Sequence, residues 1–354
     1  MHRHGPTFRR TGGRLAGLAA AIGLSLAVAA PAPALEAEIV GFEALDGWDG
    51  DDHAAALETF LTSCPAVSRV EWRPLCAVAA AGPEPRWFFE TFFLPVRIAP
   101  DTAALFTGYY EPELPAALVP GGPYRFPIYR VPPDLVASVP YLTRAEIDGD
   151  RALAGRGLEI AWLRDPVDIY HLQVQGSGRL RLPDGRVLRL GFGAQNGHPR
   201  RPVAQYLVEE GVIAAHRASV AVIRNWVRGN PEAGLPALWR DPSYVFFRVL
   251  ADRDAGSGPL GALNRPLTAG RSVAVDPAFV PLGAPVWLEK DGAEPLRRLG
   301  VAQDTGGAIR GPQRADIFMG TGPEAGRAAG LIRDGGRMTV LMPIEAAFVL
   351  ALGE

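Results

Sequence analysis

From Phe106 onward the chain is cut into short β-type runs by proline and glycine, and this punctuation limits the fold more than any other feature. "LFTGYYEPEL", "YRFPIYRVP" and "IYHLQVQGSGRLRLPDGRVLRLGFG" each carry a few strand-forming residues between breakers. The last contains a hairpin. "GRLRL" and "RVLRL" alternate polar and apolar side chains on either side of Pro183, Asp184 and Gly185. With 41 glycines and 33 prolines the chain suits a turn-rich β protein better than a helical bundle, and 48% hydrophobic residues is too apolar for disorder.

A length of 354 residues allows two domains. Before the β-rich part stand three segments with helical spacing. "DDHAAALETFLTSC" offers Asp51 and Asp52 as N-caps, and "VEWRPLCAVAAAG" and "RWFFETFFLPVRI" follow, ending at Pro100. Arg201 to Asn230 reads as helix. A further β-rich block begins at "DPSYVFFRVL" and continues through "SVAVDP", "APVWLE" and "LGVAQD". The short helix "EAGRAAGLIRDG" and a last strand, "RMTVLMPI", finish the chain. No fixed-period repeat or low-complexity linker is present.

Residues 1–34 read as a cleaved export signal: Arg3, Arg9, Arg10 and Arg14, then the apolar run "LAGLAAAIGLSLAVAA", then "APA" as a cleavage site. The run of sixteen residues is shorter than the roughly 20 that a spanning helix needs. Removing this segment, with four arginines and no acids, takes the formal charge from −2 to −6. That argues against nucleic acid or an anionic membrane surface as a partner. In an exported chain Cys64 and Cys76 can form a disulfide, and two buried thiols are the alternative.

No HExxH or CxxC spacing is present, so a zinc site is not expected. His198, in "QNGHP", reads as a loop histidine. "QGSGRL" around Ser177 lacks the G-x-S-x-G spacing of a nucleophile elbow, and reads instead as a glycine-permitted bulge bringing backbone close to a ligand. Three aspartates each abut a short apolar run: Asp276 in "VAVDPAF", Asp304 in "AQDTGG" and Asp316 in "RADIF". Carboxylates converging at strand ends raise the pKa of one of their number, which suits a general acid near neutral pH. Asp276 and Asp316 also suit turn caps. Asp304, beside Gly306 and Gly307, is the stronger catalytic candidate. A pepsin-like protease needs two such aspartates, and "DTG" occurs once, in a chain long for a dimeric protease.

The blocks taken together resemble the membrane-bound lytic murein transglycosylase A family. "FTGYYEPEL", "PYLTRAEID", "IAWLRDPVDIYHLQVQGSGRLRL", "NGHP", "DPSYVFFR", "AVDPAFVPLGAPVWL" and "QDTGGAIRGPQRADIFMGTG" follow in family order, from about Phe106 to Gly322. The resemblance implies a mainly β fold: a double-psi β-barrel bearing the module named for three aspartates, a second β-rich domain inserted into it, and a few peripheral helices. Residues 35–105 and 243–354 would form the barrel, and 106–242 the inserted murein-binding domain. Asp304 falls on the family's single catalytic acid, with Asp276 and Asp316 as supporting acids. Thr107, Tyr109, Gln173, Gln175, Gly176, Ser177 and Gly306 fall in blocks that line the groove. The chain shows no lipid-acceptor cysteine, and Arg200 stands where the family usually shows an aromatic after "NGHP".

One acid can suffice for such chemistry. Glycoside hydrolysis uses two carboxylates. A lytic transglycosylase instead lets the C6 hydroxyl of N-acetylmuramic acid attack its own C1, an intramolecular step with large effective molarity. Protonated Asp304 would give its proton to the leaving oxygen and then take one from that hydroxyl, with amides near Gly306 and Gly307 supporting developing charge. Tyr109, Tyr110 and Trp162 are candidate sugar platforms, or core. The expectation is a periplasmic, monomeric enzyme without metal or organic cofactor. Its partners would be peptidoglycan glycan strands and cell-wall enzyme complexes, with no nucleic acid. A non-catalytic wall-binding barrel is the rival reading, and fold alone does not decide it.

Overall fold

Residues 36–67, 69–250 and 256–352 are described by the computed structural model, together with Met1 and His2. The expected export signal lies outside the described residues, apart from those first two. The strands are β1 (Ala37–Ile39), β2 (Phe93–Ile98), β3 (Leu105–Glu111), β4 (Glu113–Ala117), β5 (Phe126–Tyr129), β6 (Glu159–Leu163), β7 (Gly178–Arg181) and β8 (Val187–Gln195). They continue as β9 (Val245–Leu250), β10 (Ser272–Val275), β11 (Pro285–Lys290), β12 (Leu296–Asp304), β13 (Arg314–Thr321), β14 (Arg333–Asp334) and β15 (Gly336–Pro343).

Among the described residues these strands make two sheets. A nine-stranded sheet has the order β1-β2-β15-β11-β12-β10-β13-β3-β14, and a six-stranded sheet the order β5-β6-β4-β7-β8-β9. The first is mixed: β10 runs parallel to β12, and β13 parallel to β3, while the other pairs are antiparallel. Every residue of β10 and β11 is buried, so their apolar side chains cannot serve a one-sided, water-facing sheet. The architecture is therefore mainly β with peripheral helices.

Two strands move across the expected boundary. Leu105–Glu111 lies in the nine-stranded sheet against β13, although the sequence reading assigns Phe106 onward to the insert. Val245–Leu250 pairs with β8 in the six-stranded sheet, although residues from 243 read as barrel. Strand partners are chosen by packing between distant segments, which local sequence does not encode. The predicted hairpin forms as read, with β7 and β8 antiparallel from Gly178–Leu190 to Arg181–Val187.

The helices are α1 (His53–Ser63), α2 (Arg73–Ala80), α3 (Pro85–Phe92), α4 (Pro166–Gln175), α5 (Val203–Glu209), α6 (Val220–Gly229), α7 (Pro231–Trp239), α8 (Gly322–Leu331) and α9 (Ile344–Leu352). Asp52 caps α1, its carboxylate accepting the Ala55 N–H at 3.0 Å. Phe60 of α1 meets Phe88, Phe89 and Phe93 in a fully buried aromatic cluster, with centroids 5.8, 6.4 and 6.1 Å away. Truncating such a ring to alanine costs about 3–5 kcal/mol. Cys64 and Cys76 are joined as a disulfide, Cα atoms 5.6 Å apart, tying the end of α1 to α2.

Three helix expectations need correction. The segment "RWFFETFFLPVRI" turns to strand at Phe93, because Pro95 would forfeit a helical hydrogen bond and clash in the preceding turn. Residues 201–230 are not one helix: the chain turns at Gly211, φ 70°, between α5 and α6. "IYHLQVQ" is helix α4 rather than strand. Asp165 caps its first turn by accepting the Val167 N–H at 2.9 Å, Pro166 opens it, and Gly176 at φ 77° closes it.

Candidate active site

Asp304 ends β12, opposite an irregularity in its pairing with β10. Val273 faces Ala302, then Ala274 faces Asp304, so one extra residue is absorbed just before the carboxylate. A bulge of this kind re-aims a side chain at a strand end. Three donors converge on the carboxylate. Tyr109, on β3, donates its hydroxyl to Oδ2 at 2.8 Å. The N–H groups of Thr305 and Ala262 donate to Oδ1 at 2.9 and 3.0 Å. Burial raises the pKa of Asp304 from the ordinary 3.8 to about 6; the three donors pull it down, and the charge of Asp316 pushes it up. Burial, and the two nearby aspartates, push the Tyr109 hydroxyl well above its usual range, so it stays a donor.

Asp316, on β13, faces Thr107 of β3 in register and accepts the Thr107 hydroxyl at 2.5 Å. Burial raises its pKa, against the pull of Thr107 and the Arg314 cation. Arg314 also donates to the Thr107 oxygen at 2.8 Å, so Thr107 bridges the two charges. Asp276 is placed differently. It accepts the N–H groups of Ala278 and Gly311, at 3.2 and 2.8 Å, and faces Arg310. Burial raises its pKa, but those two N–H donors and Arg310 outweigh it and hold the carboxyl low. Asp276 is thus a turn cap kept ionised, whereas Asp304 and Asp316 interact through their charges.

The glutamines of α4 do two jobs. Gln175 accepts the Tyr110 N–H at 3.0 Å, fastening β3 to the helix. Gln173 is buried and donates to the Val245 carbonyl at 3.3 Å, while its own Oε1 has no hydrogen-bond partner among the described residues. Gly176 is the helix C-cap rather than a β-bulge, and Ser177 lies buried just before β7. The Gly306 carbonyl accepts the Ile309 N–H at 3.0 Å in the turn after Asp304. Tyr110 lies beside His171, its hydroxyl 3.1 Å from Nε2, and burial lowers the His171 pKa to about 4. Trp162 is half-buried on β6. The ring Nε2 of His198 lies 2.7 Å from the Tyr141 carbonyl.

The residue that sequence reasoning misses is Ala262. It acts through its backbone N–H, and no side-chain pattern announces such a donor. The nearest signal is Gly261, which lies so close to the strand that a Cβ there would come within 2.6 Å of the Gln303 carbonyl oxygen.

Residues 105–248 match the MltA specific insert domain and residues 271–342 match the 3D domain. The chain is 35% identical over 252 residues to membrane-bound lytic murein transglycosylase A of Escherichia coli strain K12, covering 68% of this chain and 66% of that protein. Its fold is similar to that of the crystal structure of a membrane-bound lytic murein transglycosylase from Agrobacterium tumefaciens, with TM-score 0.81, 33% identity, and coverage of 89% of this chain and 99% of that one. It is also similar to the E. coli enzyme crystallised with bound chitohexaose, with TM-score 0.69, 28% identity, and coverage of 82% and 90%. Among the described residues no helix is long and apolar enough to cross a membrane, and no group of three or more His, Cys, Asp or Glu is placed to hold a metal ion.

Proposed function

The chain belongs to the membrane-bound lytic murein transglycosylase A family, and we propose that it cleaves the β-1,4 bond between N-acetylmuramic acid and N-acetylglucosamine in peptidoglycan without water, leaving 1,6-anhydromuramic ends. The observation that carries this reading is a carboxyl at about 6 on a strand end, with Tyr109 donating to it. Such a group is protonated in a useful fraction near neutral pH and is a competent base once it has given its proton.

Asp304 protonates the glycosidic oxygen as the bond breaks, while the muramic C6 hydroxyl, already in the same molecule, closes on C1. The carboxylate left behind is received by the hydroxyl of Tyr109 and the N–H groups of Ala262 and Thr305. These donors stabilise its charge without reorganising. It then takes the proton of the C6 hydroxyl and is restored. Asp316 acts as a neighbour whose charge adds to the effect of burial in keeping Asp304 protonated; Asp276 shapes the turn at Gly311. Thr107, Gln173, Gln175, Gly176, Ser177 and Gly306 line the sugar groove beside them.

The nine-stranded sheet, with its parallel pairs between chain-distant strands, fits a double-psi β-barrel carrying the three-aspartate module. The six-stranded sheet fits the inserted murein-binding domain. Export to the periplasm, action on glycan strands and work within cell-wall complexes complete the reading, and the bound chitohexaose of the E. coli relative supports glycan as the ligand class.

The test is mass spectrometry of soluble products released from peptidoglycan sacculi by wild type and Asp304→Asn. Anhydro-muropeptides from the wild type alone support the reading. Products with reducing ends would make the protein a hydrolase. Sedimentation with sacculi and no products would make it a wall-binding module.

A further inference from the structure

Arg179 of β7 and Arg189 of β8 are direct cross-strand partners, a placement that sets two cations side by side at some cost. Glu111, at the end of β3 and 1% exposed, offsets it. Its Oε2 accepts the Arg179 Nε–H and the Thr321 hydroxyl, each at 2.8 Å, and its Oε1 lies 3.6 Å from Nη2 of Arg189. Both guanidinium groups also reach another segment. Arg179 Nη2 donates to the Ser257 carbonyl at 2.9 Å, and Arg189 Nη2 donates to the carbonyls of Ser257 and Gly258, both at 2.8 Å. Two consecutive carbonyls are thereby gripped by two planar, rigid donors.

Beyond this grip the chain folds back on itself. The Leu267 N–H donates to the Pro259 carbonyl at 2.9 Å, and the Gly261 N–H to the Arg265 carbonyl at 3.0 Å. At the tip of this small hairpin, Gly261 rests against the Gln303 carbonyl and Ala262 donates its N–H to Asp304. The hairpin therefore hangs between two arginines of the six-stranded sheet and a carboxylate of the nine-stranded one.

We propose that Arg179 and Arg189, oriented by Glu111, are positioning residues that hold the hairpin of residues 257–267 so that Ala262 can hydrogen-bond Asp304. The inference rests on the general-acid reading of Asp304. The groups that face its carboxyl are Tyr109 from β3, Asp316 from β13, the adjoining Thr305 N–H, and Ala262. Of these, Ala262 is the one carried by the clamped hairpin. Loosening the clamp removes a donor that favours the ionised carboxyl, so Asp304 holds its proton to higher pH and gives it up less readily.

The experiment compares wild type with Arg179→Lys and Arg189→Lys, which keep a cation by Glu111 and lose the planar fork. The double variant Glu111→Gln with Arg179→Gln removes the Glu111–Arg179 pair together, so that neither of these two charges outlives the other, and leaves Arg189 on the Ser257 and Gly258 carbonyls. Arg181→Gln is the control: it lies on the same strand, is 62% exposed, and pairs with Glu113 at the start of β4. Two quantities are read: the pH dependence of kcat/KM on isolated glycan strands, and hydrogen exchange of peptides covering residues 257–267.

A general acid gives a rate that falls as pH rises through its pKa. The clamp variants are expected to move that descending limb upward by roughly one pH unit, with about tenfold lower maximal rate and faster exchange in the hairpin. The control moves neither. A lowered rate with limb and exchange unchanged would overturn the clamp, as would a loosened hairpin with an unmoved limb. If a lysine variant fails to fold, the Gln/Gln pair supplies the same comparison. A wild type without a limb near pH 6, or an active Asp304→Asn, would instead sink the general-acid reading, and hairpin exchange alone would then judge the clamp.

Discussion

Asp304→Asn separates the chemical role of this residue from its structural cost. Its carboxyl is moved from the ordinary 3.8 to about 6, chiefly by burial. In the unfolded chain it ionises near the ordinary value, so raising the pH through that range charges the unfolded state first. Stability is therefore lost as pH rises above about 4, and the loss is complete above about 6. The full penalty is at most about 3 kcal/mol, because solvent reaching this half-buried side chain screens part of it. Asparagine has the same shape and carries no titrating charge. Its Oδ1 can accept from Ala262 and Thr305, and its amide can donate to the Tyr109 oxygen. Urea titrations of both proteins at about pH 4 and about pH 8 give a stability difference at each pH. The difference should shift in favour of the variant by about 2–3 kcal/mol between them. Other titrating groups cancel in the comparison. Activity should fall by about 10²–10⁴-fold. A stability difference that stays flat within about 0.5 kcal/mol would refute the reasoning, since Asp304 would then have no raised pKa to support its proposed use as an acid.

Asp316→Asn keeps the Thr107 contact in shape and removes one charge near Asp304, so turnover should drop by about tenfold, well short of the Asp304 loss; equal losses in folded protein would make Asp316 a second essential acid. Tyr109→Phe removes the hydroxyl that favours ionised Asp304, and the descending limb of the pH–rate profile should move up by about one unit; an unmoved limb would mean that the bond contributes nothing in solution. Reducing the Cys64–Cys76 bridge should cost about 3 kcal/mol for a loop of this length, read as a lower melting temperature in reductant, and an unchanged melt would show that α1 and α2 are held by packing alone.

The hairpin of β7 and β8 was legible because alternation and a Pro-Asp-Gly turn point the same way. Asp304 was legible because an apolar run ends at a carboxylate followed by two glycines. Helix α4 was masked by its β-branched and aromatic residues. Its Asp165-Pro166 start signal was present, but a single cap weighs less than a run of strand-forming side chains. The placements of β3 and β9 were illegible for another reason. Each strand has a partner far away in the chain, and no local pattern names that partner. The Ala262 donor was hidden because any residue but proline offers the same N–H.

The Tyr109 contact with Asp304 spans 195 positions in the chain and the Ala262 contact spans 42. A polypeptide not yet folded has neither, and its residue 304 is an ordinary aspartate, ionised at neutral pH with no proton to offer. The parallel pairing of β3 with β13 joins segments about two hundred residues apart, the kind of contact that forms late in folding. The chain thus carries its own safety catch. On the proposed function, the reactive proton is acquired only when nearly all of the chain has been made and assembled.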